Sequence, residues 1–173
     1  DTYKNDLFTS ADFDGLKPLG LALVSHLAQY QVFAKAEQIQ VTPGINRSLE
    51  VLAKMPFPNG NSTILVEQPS YELYLRFLEA ERIPVRGIAR TTKGIDLDEL
   101  ENLFRQGGIK FFYTIPRHHN PLGTSYSAEE RKAIARLADK YDVYIVEDDY
   151  MADFGESRGF DPIYALSRTS HVV

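Results

Sequence analysis

Three observations predict an α/β fold, a three-layer sandwich with a mostly parallel sheet covered by helices on both faces. Short apolar runs and segments of helical period alternate along the chain, the pattern of successive strand–helix units. The clearest run, residues 109–115, is rich in aromatic residues and stops at Pro116, as a buried strand does. Two polar clusters, His118-His119-Asn120 and Glu147-Asp148-Asp149-Tyr150, follow such runs directly. In open α/β sheets ligands bind outside the carboxyl ends of the strands, and a right-handed crossover puts both clusters on one edge.

The elements follow in order. Residues 1–15 are polar and aromatic without a clear period, and an extended arm is expected there. Residues 16–30 predict a helix, with Leu16, Leu23, Leu27 and Tyr30 on one face and Gly20 in the same row. A short strand is expected at 39–42, then Pro43-Gly44, then a helix over about 45–54. A strand, a glycine turn and a helix N-terminus make an anion site, because free N–H groups and the helix dipole face outward. A plain strand-to-helix turn explains the same residues.

Residues 58–61 (PNGN) read as a surface loop and 63–67 as a strand. Gln68-Pro69-Ser70-Tyr71 leads into a helix with Tyr74, Phe77 and Leu78 on its core face. A strand at 84–89 follows. Asp96-Leu97-Asp98-Glu99 reads as a capping box for a helix that buries Leu97, Leu100 and Phe104 and ends at Gly107. After the strand at 109–115 comes the turn Asn120-Pro121-Leu122-Gly123. Ser127 then caps a helix, with Glu130 as its capping-box partner and Ile134, Leu137, Ala138 and Tyr141 on the buried face. A strand at 143–146, a loop at 155–161, a helical turn at 163–166 and the start of a strand at 171–173 complete the reading.

Composition bounds the function. The chain has 173 residues, 43% hydrophobic and 25% charged, enough for one domain with a real core. Its net charge is -5 and no basic patch is visible, so this segment is a poor nucleic-acid binder by itself. It has no cysteine, which excludes disulfides, thiol chemistry and zinc–thiolate sites. No apolar run is long enough to span a membrane, and no leader is evident, so a cytoplasmic location is expected.

Read from residue types alone, the acidic cluster leaves several roles open. It caps a loop, faces solvent or holds a divalent cation. A phosphoacceptor domain also clusters aspartates, but after its first strand rather than a late one. His118 and His119 read as polar loop residues, and no metal site is predicted.

The motifs together, H-H-N-P-L-G, a capped helix and E-D-D-Y-M-A-D-F at residues 118–154, resemble the fold-type-I aminotransferases that bind pyridoxal 5′-phosphate (PLP). The chain is most similar to the aminotransferase-like domain of GntR/MocR-type transcriptional regulators. The resemblance covers residues 16–173 and implies a partial, truncated large domain of the PLP-dependent transferase type. By match to the family's motifs, Gly44, Ile45 and Asn46 hold the cofactor phosphate. Tyr71 stacks on the pyridine ring, Asn120 and Tyr150 contact the ring hydroxyl oxygen, and Asp148 keeps the ring nitrogen protonated. Asp149 is expected to point the other way, and Asp148 to sit at a solvent-facing strand end.

Two departures stand out. Pro18-Leu19-Gly20 lacks the arginine usual in the family, and Ile45 replaces a small or hydroxyl residue. None of the eight lysines follows a serine, so the Schiff-base lysine is expected beyond Val173, and no catalytic residue is assigned within the chain. The chain alone is expected to be inactive and to hold no covalent cofactor. The implied parent is a homodimeric regulator with a separate N-terminal DNA-binding domain, taking an amino acid or amine as effector or substrate. A free-standing aminotransferase is the alternative parent, and a cofactor-free α/β interaction domain the third reading.

Overall fold

The computed structural model describes residues 16–154, 160–169 and 171–173. The arm expected at 1–15 and most of the loop expected at 155–161 lie outside the described residues. Five apolar segments pair into one sheet: β1 (Thr63–Gln68), β2 (Val85–Thr91), β3 (Gly94–Ile95), β4 (Ile109–Thr114) and β5 (Tyr144–Glu147). The order is β3-β2-β1-β4-β5. The β1–β2, β1–β4 and β4–β5 pairs are parallel, and only the two-residue β3 runs antiparallel, against β2. Residues 171–173 add a parallel bridge beside β5, Ile145 to Val172.

Side chains alternate across the strands and build two cores. Ile64, Val66, Phe111, Tyr113 and Val146 face helices α2 (Ile45–Lys54) and α3 (Glu72–Ala80). Leu65, Ile88, Phe112 and Ile145 face α4 (Leu97–Gln106), α5 (Ala128–Tyr141) and α6 (Ile163–Leu166). Every residue of β4 is buried, as a central parallel strand requires. The three-layer sandwich is therefore present.

The helix signals act locally. Ser127 Oγ accepts the Glu130 N–H (3.1 Å) and Glu130 Oε2 accepts the Ser127 N–H (2.8 Å), so the capping box opens α5 at the expected residue. Asp96 caps α4 by accepting from the N–H groups of Asp98 and Glu99. Gly107, at φ 78°, ends that helix.

The structure corrects several expectations. Residues 39–42 form no strand. Ile39 has extended angles, but among the described residues no strand lies beside it to share a ladder. Helix α1 is shorter than expected, Lys17–Ala28, and fully buries none of its residues, because only the short turn Ala36–Gln38 packs against it among the described elements. The loop at 58–61 is more than surface. Asn59 Nδ2 donates to the carbonyls of Lys110 (3.0 Å) and Asp142 (2.9 Å), tying the start of β4 to the end of α5. The sequence reading also missed β3, which is too short to show a period.

Candidate active site

The parallel strands β1, β4 and β5 all end on one edge, and Tyr71, Asn120, Asp148 and Tyr150 follow those strand ends in the chain. Gly44 is the N-cap of α2, with φ 89° and ψ 162°, angles open essentially only to glycine. A Cβ built there meets nothing within 4 Å, so the space beside Gly44 is open. No side chain caps the helix and its first turn carries no acid. The Arg47 N–H donates to the Gly44 carbonyl (3.2 Å), and the N–H groups of Ile45 and Asn46 come before the helix's own ladder. Thr42 Oγ1 bonds Ser48 Oγ (2.6 Å) and the Gly44 carbonyl (3.1 Å), which fixes the turn in front of that helix end.

Tyr71 is the N-cap of α3, and its hydroxyl donates to Asn46 Oδ1 (3.1 Å). One turn on, Tyr74 packs edge-on against Tyr113, with ring centroids 4.9 Å apart. The Tyr113 hydroxyl donates to Asp148 Oδ2 at 2.7 Å. A continuous path of contacts thus runs from the N-terminus of α2 through α3 to Asp148.

Asp148 differs from expectation in one respect. It is not solvent-facing but buried, 7% exposed. Its N–H continues the ladder by donating to the Thr114 carbonyl (2.9 Å). The strand alternation therefore still holds at Asp148 and turns it toward the α2–α3 layer, where Tyr113 covers it. Burial pushes its carboxyl above the usual aspartate range, and the Tyr113 hydroxyl and Tyr150 N–H oppose the shift.

The neighbouring acids point elsewhere. Glu147 accepts the N–H groups of Ile163 and Tyr164, both at 2.9 Å, and so caps α6 in the other layer. Asp149 takes a two-pronged ion pair from the buried Arg117. The chain then turns, closed by Ala152 N–H to the Asp149 carbonyl, so Tyr150 does not continue the extended run. The half-exposed Tyr150 instead sends its hydroxyl to the His118 carbonyl (3.0 Å). Asn120 is exposed, two residues along the same loop.

His119 is not a polar loop residue. It is buried, 1% exposed, with Nε2 3.2 Å from Glu67 Oε2. Glu67 was overlooked in the sequence, where it reads as an ordinary strand-end residue. The only signal was a charged residue placed directly after the apolar run Ile64-Leu65-Val66. Among the described residues no group of three or more His, Asp or Glu is arranged to hold a metal ion.

Comparison with known proteins identifies the family. Residues 3–172 match the family "Aminotransferase class I and II". The HTH-type transcriptional regulator YcxD of Bacillus subtilis is 48% identical over 173 residues, all of this chain and 39% of that protein. Aromatic-amino-acid aminotransferase 1 of Thermococcus litoralis is 31% identical over 150 residues, 83% of this chain and 35% of that protein. Among solved structures, the α-aminoadipate aminotransferase LysN of Thermus thermophilus, complexed with N-(5′-phosphopyridoxyl)-L-leucine, superposes with a TM-score of 0.83. It is 24% identical, and the match covers 99% of this chain and 44% of that one. The chain thus spans about two-fifths of the length of these relatives. It belongs to the class I and II aminotransferase family, whose cofactor is pyridoxal phosphate.

Proposed function

We propose that this chain is the cofactor-binding part of an aminotransferase-like domain in an HTH-type transcriptional regulator, and that the domain senses an amino acid or amine. The regulator reading is supported by identity to YcxD across the whole chain, against shorter and lower identity to a free-standing aminotransferase. The DNA-binding part and a homodimeric assembly belong to the parent protein in this reading.

The residues fit PLP. The uncapped start of α2 offers Gly44, Ile45 and Asn46 to the phosphate, with open space where a Cβ would stand. Asp148 offers a carboxylate to the ring nitrogen, and Tyr113 fixes its orientation from behind. Tyr71, tied to Asn46, offers a flat ring to cover one cofactor face and keep water off it. Asn120 and Tyr150 offer hydrogen bonds to the ring hydroxyl oxygen. When bound, PLP draws electrons away from the bonds beside the amino acid's nitrogen, and it does so best with its own ring nitrogen protonated. Asp148 keeps that proton in place, because an ionised carboxylate beside it stabilises the positive ring.

The observation that carries this reading is a buried carboxylate at the end of β5, on the same sheet face and edge as an uncapped helix start. The test is a titration of the full-length protein with PLP, followed by absorbance. Wild type should bind. Asp148→Asn keeps the shape but loses the charge, and should weaken binding by about tenfold or more. Asp149→Asn, on the residue that pairs with Arg117, should matter much less. No binding by wild type, or a larger effect at Asp149, overturns the reading. Retardation of promoter DNA by the same protein separates the regulator from the free-standing enzyme.

A further inference from the structure

One carboxylate beneath the site gathers a whole loop. Residues 115–126 join β4 to α5 and carry both Asn120 and the His118 carbonyl that Tyr150 touches. Glu67, at the end of β1 and fully buried, contacts this loop at its entry, middle and exit. Its Oε2 accepts the Ile115 N–H (2.9 Å) and lies 3.2 Å from His119 Nε2. Its Oε1 accepts the Tyr126 hydroxyl (2.5 Å), the Thr114 hydroxyl (3.0 Å) and Arg90 Nη1 (3.1 Å). Arg90 is itself buried and lies over the Tyr126 ring, 3.5 Å from its centroid.

The loop's own geometry makes His119 the inward anchor. His118 adopts φ 49°, which separates its direction from that of His119. The turn around Asn120 is closed by His119 N–H to the Thr124 carbonyl (2.8 Å) and Gly123 N–H to the His119 carbonyl (2.6 Å). Thus His118 and Asn120 are exposed, while the residue between them is held from below. Burial alone pushes Glu67 upward, but His119, the Arg90 charge, Tyr126 and the Ile115 N–H outweigh it and hold the carboxyl below its ordinary range. An acceptor that stays charged suits four donors converging on two oxygens, with the His119 ring beside them.

We propose that Glu67 is a positioning residue, fixing from beneath the loop that presents Asn120 to the cofactor and the His118 carbonyl to Tyr150. The proposal rests on the cofactor reading above. Its reach is indirect, since Glu67 lies on the α4–α5 face of the sheet and Asp148 on the other.

The test uses the full-length protein and two measurements, amide hydrogen exchange without cofactor and PLP affinity. Glu67→Gln puts an amide where acceptors are needed on both sides. Exchange in residues 115–126 should rise about tenfold while that of β1 and β4 is unchanged, and the PLP dissociation constant should rise about tenfold. Tyr126→Phe keeps the ring over Arg90 and removes one donor, so both effects should be smaller, about fivefold. This variant carries the test where Glu67→Gln does not fold.

Leu103→Ala, on α4, is the control for general destabilisation; it should lower the melting temperature without changing loop exchange or PLP affinity. Unchanged loop exchange in both variants overturns the proposal. So does faster exchange with unchanged PLP affinity, or equal loss of affinity in Leu103→Ala. Wild type that fails to bind PLP overturns the cofactor reading and the positioning role with it. The exchange data then still report whether Glu67 anchors the loop.

Discussion

Gly44 is where a single residue type is forced by backbone geometry. Its φ of 89° and ψ of 162° lie in a region that costs other residues about 1–3 kcal/mol. The space around it is open, so Gly44→Ala adds strain without a clash. We expect a fall in unfolding free energy of that size in urea titration. The full-length variant should also lose affinity for PLP more than for phosphate-free pyridoxal, because the first turn of α2 moves. Equal loss for both ligands would show that this turn does not hold the phosphate.

The glycine turn was legible as a helix start, because Pro43-Gly44 stands directly before a helical period; a plain turn explained the same residues. The burial of Asp148 was not. Its cover, Tyr113, lies 35 residues earlier, and only the pairing of β4 with β5 brings the two together. Glu67 was hidden for the same reason, its partners coming from β2, β4 and the loop after it.

Among elements, legibility follows how local the determining contacts are. Helix α5 begins where its capping box says, since Ser127 and Glu130 satisfy each other within one turn. Ser127→Ala should therefore cost about 1 kcal/mol in a denaturant titration, with little change in the position of β4 or β5. A loss well under that would mean packing on the sheet alone sets the start of α5. The strand expected at 39–42 fails for the converse reason: extended residues become a strand only beside a partner.

Helix α1 makes the same point. It is twelve residues long and buries no residue. It packs against the short turn Ala36–Gln38, and side-chain hydrogen bonds run from His26 (3.1 Å), and from Tyr30 just after the helix (2.6 Å), to Asp153. Amides of α1 should exchange with solvent far faster than those of β1 and β4, by about a hundredfold or more. Comparable protection in α1 would mean that something buries its apolar row in solution.

At the scale of the whole molecule, the acids at the strand ends pull stability in opposite directions with pH. Glu147 is pushed up from 4.5 to about 7 by burial, against the N–H groups of Ile163 and Tyr164. Between those values the native chain holds more protons there than the unfolded chain, so stability falls as pH rises through that window. Asp148, also raised by burial, adds to the fall. Glu67 is held below 4.5, so its contribution is present above that value and is lost as pH drops further. The two slopes meet in mildly acidic solution, and the melting temperature of the chain should peak near about pH 5 rather than at neutrality. Glu147→Gln removes the largest descending part. It should cost stability at low pH, where an amide opposes one of the two N–H donors, yet flatten the decline between pH 5 and about 7. A melting temperature that climbs steadily from pH 5 to neutrality, or an unchanged slope in Glu147→Gln, would mean that Glu147 is ionised throughout. The start of α6 would then be held by a charge rather than by a shared proton.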